Sequence, residues 1–227
     1  MVQSRNIIPE VVLYNHLTSL LKTVEQTHHS LKSSGNEERS LLDASWGGLE
    51  LNGFDFYKEA EAIFTETSHP RKIKVYQGFN RDRTITPSIH ILMPSDEPGE
   101  IQALGGQMGE YDTFEDNEVR VESRGYYSDS YLASYNFMVA SDNSFEVLII
   151  YHTIKKLISA TRLFLEDEGF TNLTLSGMEI NFDDSFVPPN TYSRILTLRG
   201  NYMCHSAGVN SEEFIKIFKL NLKSVEK

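Results

Sequence analysis

The stretch 131–169, YLASYNFMVASDNSFEVLIIYHTIKKLISATRLFLEDEG, decides the fold. In its first ten residues, bulky apolar side chains recur at every second position, which predicts a strand that ends at Ala140. Apolar residues then recur at spacings of three and four, which predicts a helix from about Phe145 to Glu168. Gly169 is a typical helix-ending residue, because glycine adopts the left-handed conformation without strain.

The start of this helix has two candidate caps, Asp142 and Ser144, because either side chain can accept a hydrogen bond from a free backbone N–H group. The apolar positions of the helix form a stripe wide enough to cover a sheet. They are Val147, Ile150, Ile154, Leu157, Ile158, Thr161, Phe164 and Leu165.

The remaining elements follow from the same two periodicities. A helix is predicted over about 9–32 and a shorter one over 56–65 with Asp55 as its cap, while 37–53 is expected to be irregular. Strands are predicted around 73–75, 85–93, 119–122, 173–182 and 194–203, and the tail from Ser211 fits either a helix or a strand.

The order of these elements predicts an α+β fold, in which a mostly antiparallel sheet is packed by the N-terminal helix and the long central helix. The length of 227 residues suits one domain over 1–227. Within it, 1–69 is a helical N-terminal elaboration, 70–205 is the α+β core and 206–227 is a C-terminal extension.

Composition limits the function classes. Asp and Glu number 32 against 21 Lys and Arg, so the formal charge of -11 disfavours tight binding to nucleic acid phosphates. The single cysteine, Cys204, cannot close an intramolecular disulfide and is expected to serve as a small apolar residue. No signal peptide or membrane anchor is recognisable, so we expect a soluble protein made in a cytosol.

Catalytic, metal and cofactor signatures are not recognisable. Cys204 and His205 would point to opposite faces of a strand and make a poor chelate. The glycines of 105–109 are not preceded by a buried strand, so flexibility explains them better than a phosphate cradle does. A GxSxG nucleophile motif is missing from the sequence, and we expect a protein that is not an enzyme and has no cofactor.

One segment, Ser95 to Glu118, lacks periodicity and contains no Lys or Arg, which predicts a long acidic loop. It is either a solvated, mobile surface or a negatively charged lining or docking tip. Its acids are Asp96, Glu97, Glu100, Glu110, Asp112, Glu115, Asp116 and Glu118.

The order of elements with their punctuating residues resembles the neck and tail-terminator ring proteins of tailed bacteriophages, among them those of crAss-like phages. The likeness covers roughly 70–205. It consists of KIKVYQGF at 72–79, PSIHILMPS at 87–95, an irregular loop, the strand that ends at Ala140, the helix ending RLFLEDEGF at 162–170 and LTLSG at 173–177.

This resemblance implies a structural virion protein that assembles in the host bacterial cytoplasm as a ring joining head to tail. Its partners would be copies of itself and the neighbouring neck, portal and tail proteins, and DNA would pass through the lumen only as cargo. An acidic wall would not trap that DNA, so part of the acidic loop is expected to face the lumen or the next ring. Trp46, Tyr126, Tyr127 and Phe186 are candidates either for the contact faces or for the core.

The residues themselves leave a second hypothesis open. The chain could be an intracellular, non-enzymatic adaptor that holds a protein partner with its sheet or its acidic loop.

Overall fold

The computed structural model describes residues 8–34, 39–66, 71–78, 87–99, 108–110, 115–116, 119–120, 126–179 and 191–207. The chain divides into two compact units. The larger comprises 8–96 and 133–201, and the smaller comprises 1–7, 97–132 and 202–227. Assignment of the whole chain to one domain stays a prediction.

Five helices lie in the described residues: α1 (Pro9–Ser34), α2 (Leu41–Trp46), α3 (Phe56–Thr65), α4 (Ser144–Ala160) and α5 (Arg162–Asp167). The strands described are β1 (Glu50–Leu51), β2 (Phe54–Asp55), β3 (Lys74–Gln77), β4 (Ser88–Pro98), β5 (Met108–Glu110), β6 (Glu115–Asp116), β7 (Val119–Arg120), β8 (Tyr126–Ser141), β9 (Phe170–Glu179) and β10 (Tyr192–Ala207).

The main sheet has the strand order β3-β4-β8-β10-β9, and β5 pairs with β8 off this path. The edge pair β3 and β4 is parallel, with Lys74 opposite Ser88 and Gln77 opposite Ile91. The predicted α+β class, with a mostly antiparallel sheet and helices packed around it, is therefore confirmed.

Helix α1 begins at Pro9, whose missing N–H has no helical partner to lose at that position. Leu13, Leu17 and Val24 recur at spacings of four and seven and are buried, as the apolar periodicity predicted. They face α2, α3 and β3, so the N-terminal helix is part of the core of the larger unit.

Helix α4 carries the predicted apolar face, and Ile150 and Ile154 have no exposed surface. Neither predicted cap is used, because the side chain of Asn143 accepts the bond from the Phe145 N–H group. The helix is also not continuous to Glu168. It ends at Ala160, the hydroxyl of the next residue, Thr161, donates to the Leu157 carbonyl, and α5 follows as a separate helical segment.

Two further predictions were wrong. The segment 37–53 contains a helical turn, α2, which begins because the Ser40 side chain accepts from the Asp43 N–H group. Strand β4 also continues past Pro94 to Pro98. The pairing with β3 stops at Ile91, so on that side Pro94 removes no bond to a described strand.

The smaller unit contains the end of β4, where the Gly99 N–H group donates to the Ser130 carbonyl at 2.7 Å. Strand β5 pairs antiparallel with the start of β8, and β6 and β7 form a hairpin of two residues each. Tyr131 and Tyr202 stack with ring centroids 5.7 Å apart.

No described helix combines the length and the apolar character that crossing a bilayer requires. The C-terminal tail from Ser211 lies outside the described residues.

Candidate functional site

The acidic segment is not a continuous loop. Asp96 and Glu97 are exposed on β4, which places them on a strand rather than in the predicted irregular segment. Glu110 lies on β5 opposite Tyr126, and Glu115 lies on β6 opposite Arg120. Asp116 is the second residue of β6, while Glu100, Asp112 and Glu118 lie outside the described residues. The proposed role of this segment as a lining or docking tip stays a prediction.

A charged cluster lies where β8 turns into α4. Glu146 is only 1% exposed, and both of its carboxylate oxygens accept from Arg71, at 2.6 Å from Nε and 2.6 Å from an Nη atom. Asp142 also pairs with Arg71. The Ser141 hydroxyl accepts from Arg71 and donates to Glu146. Glu146 raises the pKa of Arg71, and Arg71 in turn lowers the pKa of Asp142. Because Arg71 bonds both carboxylates, the cluster links segments that are distant in the chain and has a structural role.

A second cluster, on the three N-terminal helices, resembles a serine–histidine–acid arrangement. His28 is 3% exposed, its Nδ1 lies 2.9 Å from Ser40 Oγ and its Nε2 lies 3.1 Å from Glu61. Ser40 Oγ also accepts from the Asp43 N–H group, the bond that caps α2, so this oxygen is engaged in the helix cap. These hydrogen bonds link α1, α2 and α3. A catalytic serine would instead need a hydroxyl oxygen that is free to attack a substrate.

A groove of 520 Å³ lies beside the break between α4 and α5. His16 Nε2 donates to Thr161 Oγ1 at 2.8 Å, since the Thr161 hydroxyl proton goes to Leu157. The His16 ring stacks on Phe164, with centroids 4.6 Å apart, although Phe164 is 46% exposed. At this end, part of the predicted apolar face of the central helix is therefore exposed to solvent.

The two edges of the main sheet differ. On β3, the N–H groups of Lys74 and Gly78 donate to β4, so those of the intervening Val75 and Gln77 point away from the sheet. At the other edge lies β9, ten residues long, with exposed side chains at most positions beyond Leu173. From Phe170 to Met178 it contains no charged residue and no proline.

Long edge strands are usually protected against pairing with other chains. Natural sheets protect long edges with lysine, proline, bulges or covering segments, because unpaired N–H and C=O groups recruit other chains. The positive φ of Asn172 marks a local distortion at the start of β9, and the six residues after it have no such protection in their own sequence.

Three buried or half-buried histidines make stability depend on pH. Burial lowers the pKa of His16, His90 and His152 below the usual value of about 6.5. Their unfolded forms therefore bind protons more readily than their folded forms, so stability is complete above that value and decreases as the pH falls below it.

We accordingly expect the melting temperature to fall between pH 7.5 and pH 5.5. His90 should contribute clearly to this pH dependence, since it is 1% exposed. Its two ring nitrogens form hydrogen bonds with the Ser88 hydroxyl and the Gly78 carbonyl. In the His90→Gln variant the pH dependence should be shallower, whereas an unchanged slope would contradict its role. Thermal unfolding over this pH range is the measurement.

Sequence reasoning missed both charged clusters, because Arg71 and Glu146 are 75 residues apart and their neighbours in the chain give no signal. Trp46, one of the candidate contact residues, is a core residue: it is 8% exposed and donates to Thr153 Oγ1 at 3.1 Å. The side chains of Tyr126 and Tyr127, and all of Phe186, lie outside the described residues. Cys204 is exposed, and its expected role as a small apolar residue stays a prediction.

Among the described side chains, no group of three or more His, Cys, Asp and Glu residues is placed to hold a metal ion. No protein-family model matches the chain, and no curated protein matches it.

Proposed function

We propose that this chain is a non-enzymatic structural virion protein that forms a homo-oligomeric ring in the neck or tail of a tailed bacteriophage. The observation that carries the proposal is the pair of unlike edges on one sheet: a short edge at β3 and a long, uncharged edge at β9. A closed ring of identical subunits requires two different, complementary surfaces on each copy. The two sheet edges meet that requirement.

The order of described elements supports the same proposal. After β3 and β4 come three short strands, where the resemblance has an irregular loop, and then the long strand β8, the helical segment 144–167 and β9 in the order that the resemblance uses. Two glycines of the matched stretches lie at the ends of elements. Gly78 follows β3 and Gly169 precedes β9, and both have a positive φ.

Charge supports passage of DNA as cargo. A formal charge of -11 repels phosphates, so a lumen made by such a chain would let DNA slide without binding it. Asp96 and Glu97 near the end of β4 have exposed side chains, and we propose that they contribute to a lumen wall or to the contact with the next ring.

An adaptor function is the second candidate, and the β9 edge favours it as well. An open strand edge can accept an extended peptide from another protein, with backbone hydrogen bonds giving affinity and side-chain pockets giving selectivity. The adaptor and the ring differ in the identity of the partner: a foreign peptide in one, a second copy in the other.

Quantitative mass spectrometry of purified particles tests the proposal. We expect the chain at a fixed ratio to the portal protein, near one or one half, because stacked rings have defined copy numbers. A non-structural phage protein expressed at the same time serves as the control for carry-over. Absence of the chain from washed particles, or a ratio that varies between preparations as that of the control does, would overturn the ring and favour the adaptor.

A further inference from the structure

We infer that neighbouring copies in the ring join edge to edge, with β9 of one copy pairing antiparallel with β3 of the next. The inference rests on the proposed function and names the surfaces that such a ring uses. The partner is thus a second copy of this chain.

The β3 edge offers backbone groups to a partner. Lys74 N–H donates to Pro87 O at 3.3 Å and Gly78 N–H donates to Ile91 O at 2.9 Å, so these positions face inward to β4. The N–H and C=O groups of Val75 and Gln77 therefore face outward, and no described backbone group accepts from them. The Gln77 side chain is exposed, so another strand can approach there.

The β9 edge is suited to a like-charged partner. Two copies that each carry -11 repel one another, so their contact is least costly where acids are absent. The nine residues from Phe170 to Met178 are uncharged, and Asn172, Thr174, Ser176 and Met178 are exposed.

The ends of the strands set their relative direction. Strand β3 starts with the exposed Lys74, next to Lys72, and β9 ends with Glu179, which is 72% exposed. Antiparallel pairing brings the acidic end of β9 to the basic start of β3. Parallel pairing would instead bring Lys74 to the uncharged start of β9, away from any carboxylate of that strand, while Glu179 would keep only its ion pair with Arg194 of its own copy at 3.4 Å.

Pairing of β9 with β9 of another copy is the alternative. A strand paired antiparallel with its own copy has two-fold symmetry, and that contact closes at a dimer without using β3. The two arrangements therefore differ in whether β3 is needed.

The deciding variant is Gln77→Pro, assayed for assembly by analytical ultracentrifugation and native mass spectrometry. Proline removes the outward N–H group of Gln77 but no bond to β4, and Tyr76 before it is already extended as proline requires. We expect the variant to lose assembly and, at a concentration too low for the wild type to assemble, to keep the wild-type melting temperature. Gln77→Thr, which retains the N–H group, should assemble like the wild type.

Two further variants test β9 and the direction of pairing. Ser176→Lys places a charge on the exposed edge and should prevent assembly, whereas Ser30→Lys, an equal charge change at an exposed position of α1, should not. Lys74→Glu and Glu179→Lys should each weaken assembly by about threefold, and combining them should restore it.

Several results would overturn the inference. They are a Gln77→Pro variant that still assembles, a charge exchange that does not restore assembly, and a folded wild-type chain that stays monomeric at its solubility limit. The inference can fail in this way while the chain is still found in particles at a fixed ratio. The proposed function then stands with a different contact surface. Absence from particles would instead remove the function itself.

Discussion

Replacing Arg71 with alanine is expected to lower the free energy of unfolding by about 3 kcal/mol, because it leaves the Glu146 carboxylate buried without its counter-ion. Glu146 is 1% exposed and accepts two charged hydrogen bonds from Arg71, at 2.6 Å each. Arg71 itself is 32% exposed, which places the expected loss at the lower end of the range for broken buried ion pairs. Urea unfolding of wild type and variant gives the value.

The double variant Arg71→Ala with Glu146→Gln separates the buried charge from lost packing. The amide keeps the shape of the carboxylate and still accepts from the Ser141 hydroxyl, but it carries no charge. The double variant should therefore recover more than half of the stability lost in Arg71→Ala. If it is less stable than the single variant, the loss comes from packing of the arginine and the argument from buried charge is wrong.

Replacing Leu17 with alanine should also cost about 3 kcal/mol, since the side chain is 1% exposed and its removal opens a cavity under α1. Val11→Ala is the matched control on the same helix: its side chain is 44% exposed, and the expected change is within about 0.5 kcal/mol. Chemical denaturation measures both. Equal, small effects would show that α1 is an appendage rather than part of the core.

Elements whose signal is local could be predicted from the sequence. Helix α3 begins and ends at the predicted residues because Asp55 caps it and Ala60, Ile63 and Phe64 repeat on one face. The second half of β8 was predicted because bulky residues alternate along it, and two of them, Tyr135 and Phe137, are buried.

Elements decided by distant contacts could not be predicted. Pro94 suggested the end of a strand, yet β4 continues to Pro98. Proline is tolerated there because β3 pairs with β4 only as far as Ile91. The helix break at Thr161 coincides with the hydrogen bond from His16, 145 residues away. An irregular acidic segment was predicted because the short strands β5 and β6 have too few residues to show a period.

The side-chain clusters and the order of strands in the sheet could not be predicted from the sequence either. Arg71 looked like an ordinary surface arginine, and its partnership with Glu146 depends on a turn of the chain that brings segments 75 residues apart together. The place of β9 at the end of the described strand order was not predicted either, because strand order within a sheet cannot be read from the alternation of one strand.

The contact between His16 and Thr161 also has a consequence during synthesis. At about 5–20 residues per second, a ribosome needs roughly 7–30 s to pass from the first residue to the second. Over that interval, the face of α1 around Val12, His16 and Leu20 has emerged while Thr161 and Phe164, which line the same groove, do not yet exist. A nascent chain therefore presents an apolar helix face to solvent for seconds, whereas a full-length chain refolding from denaturant has its partner at once.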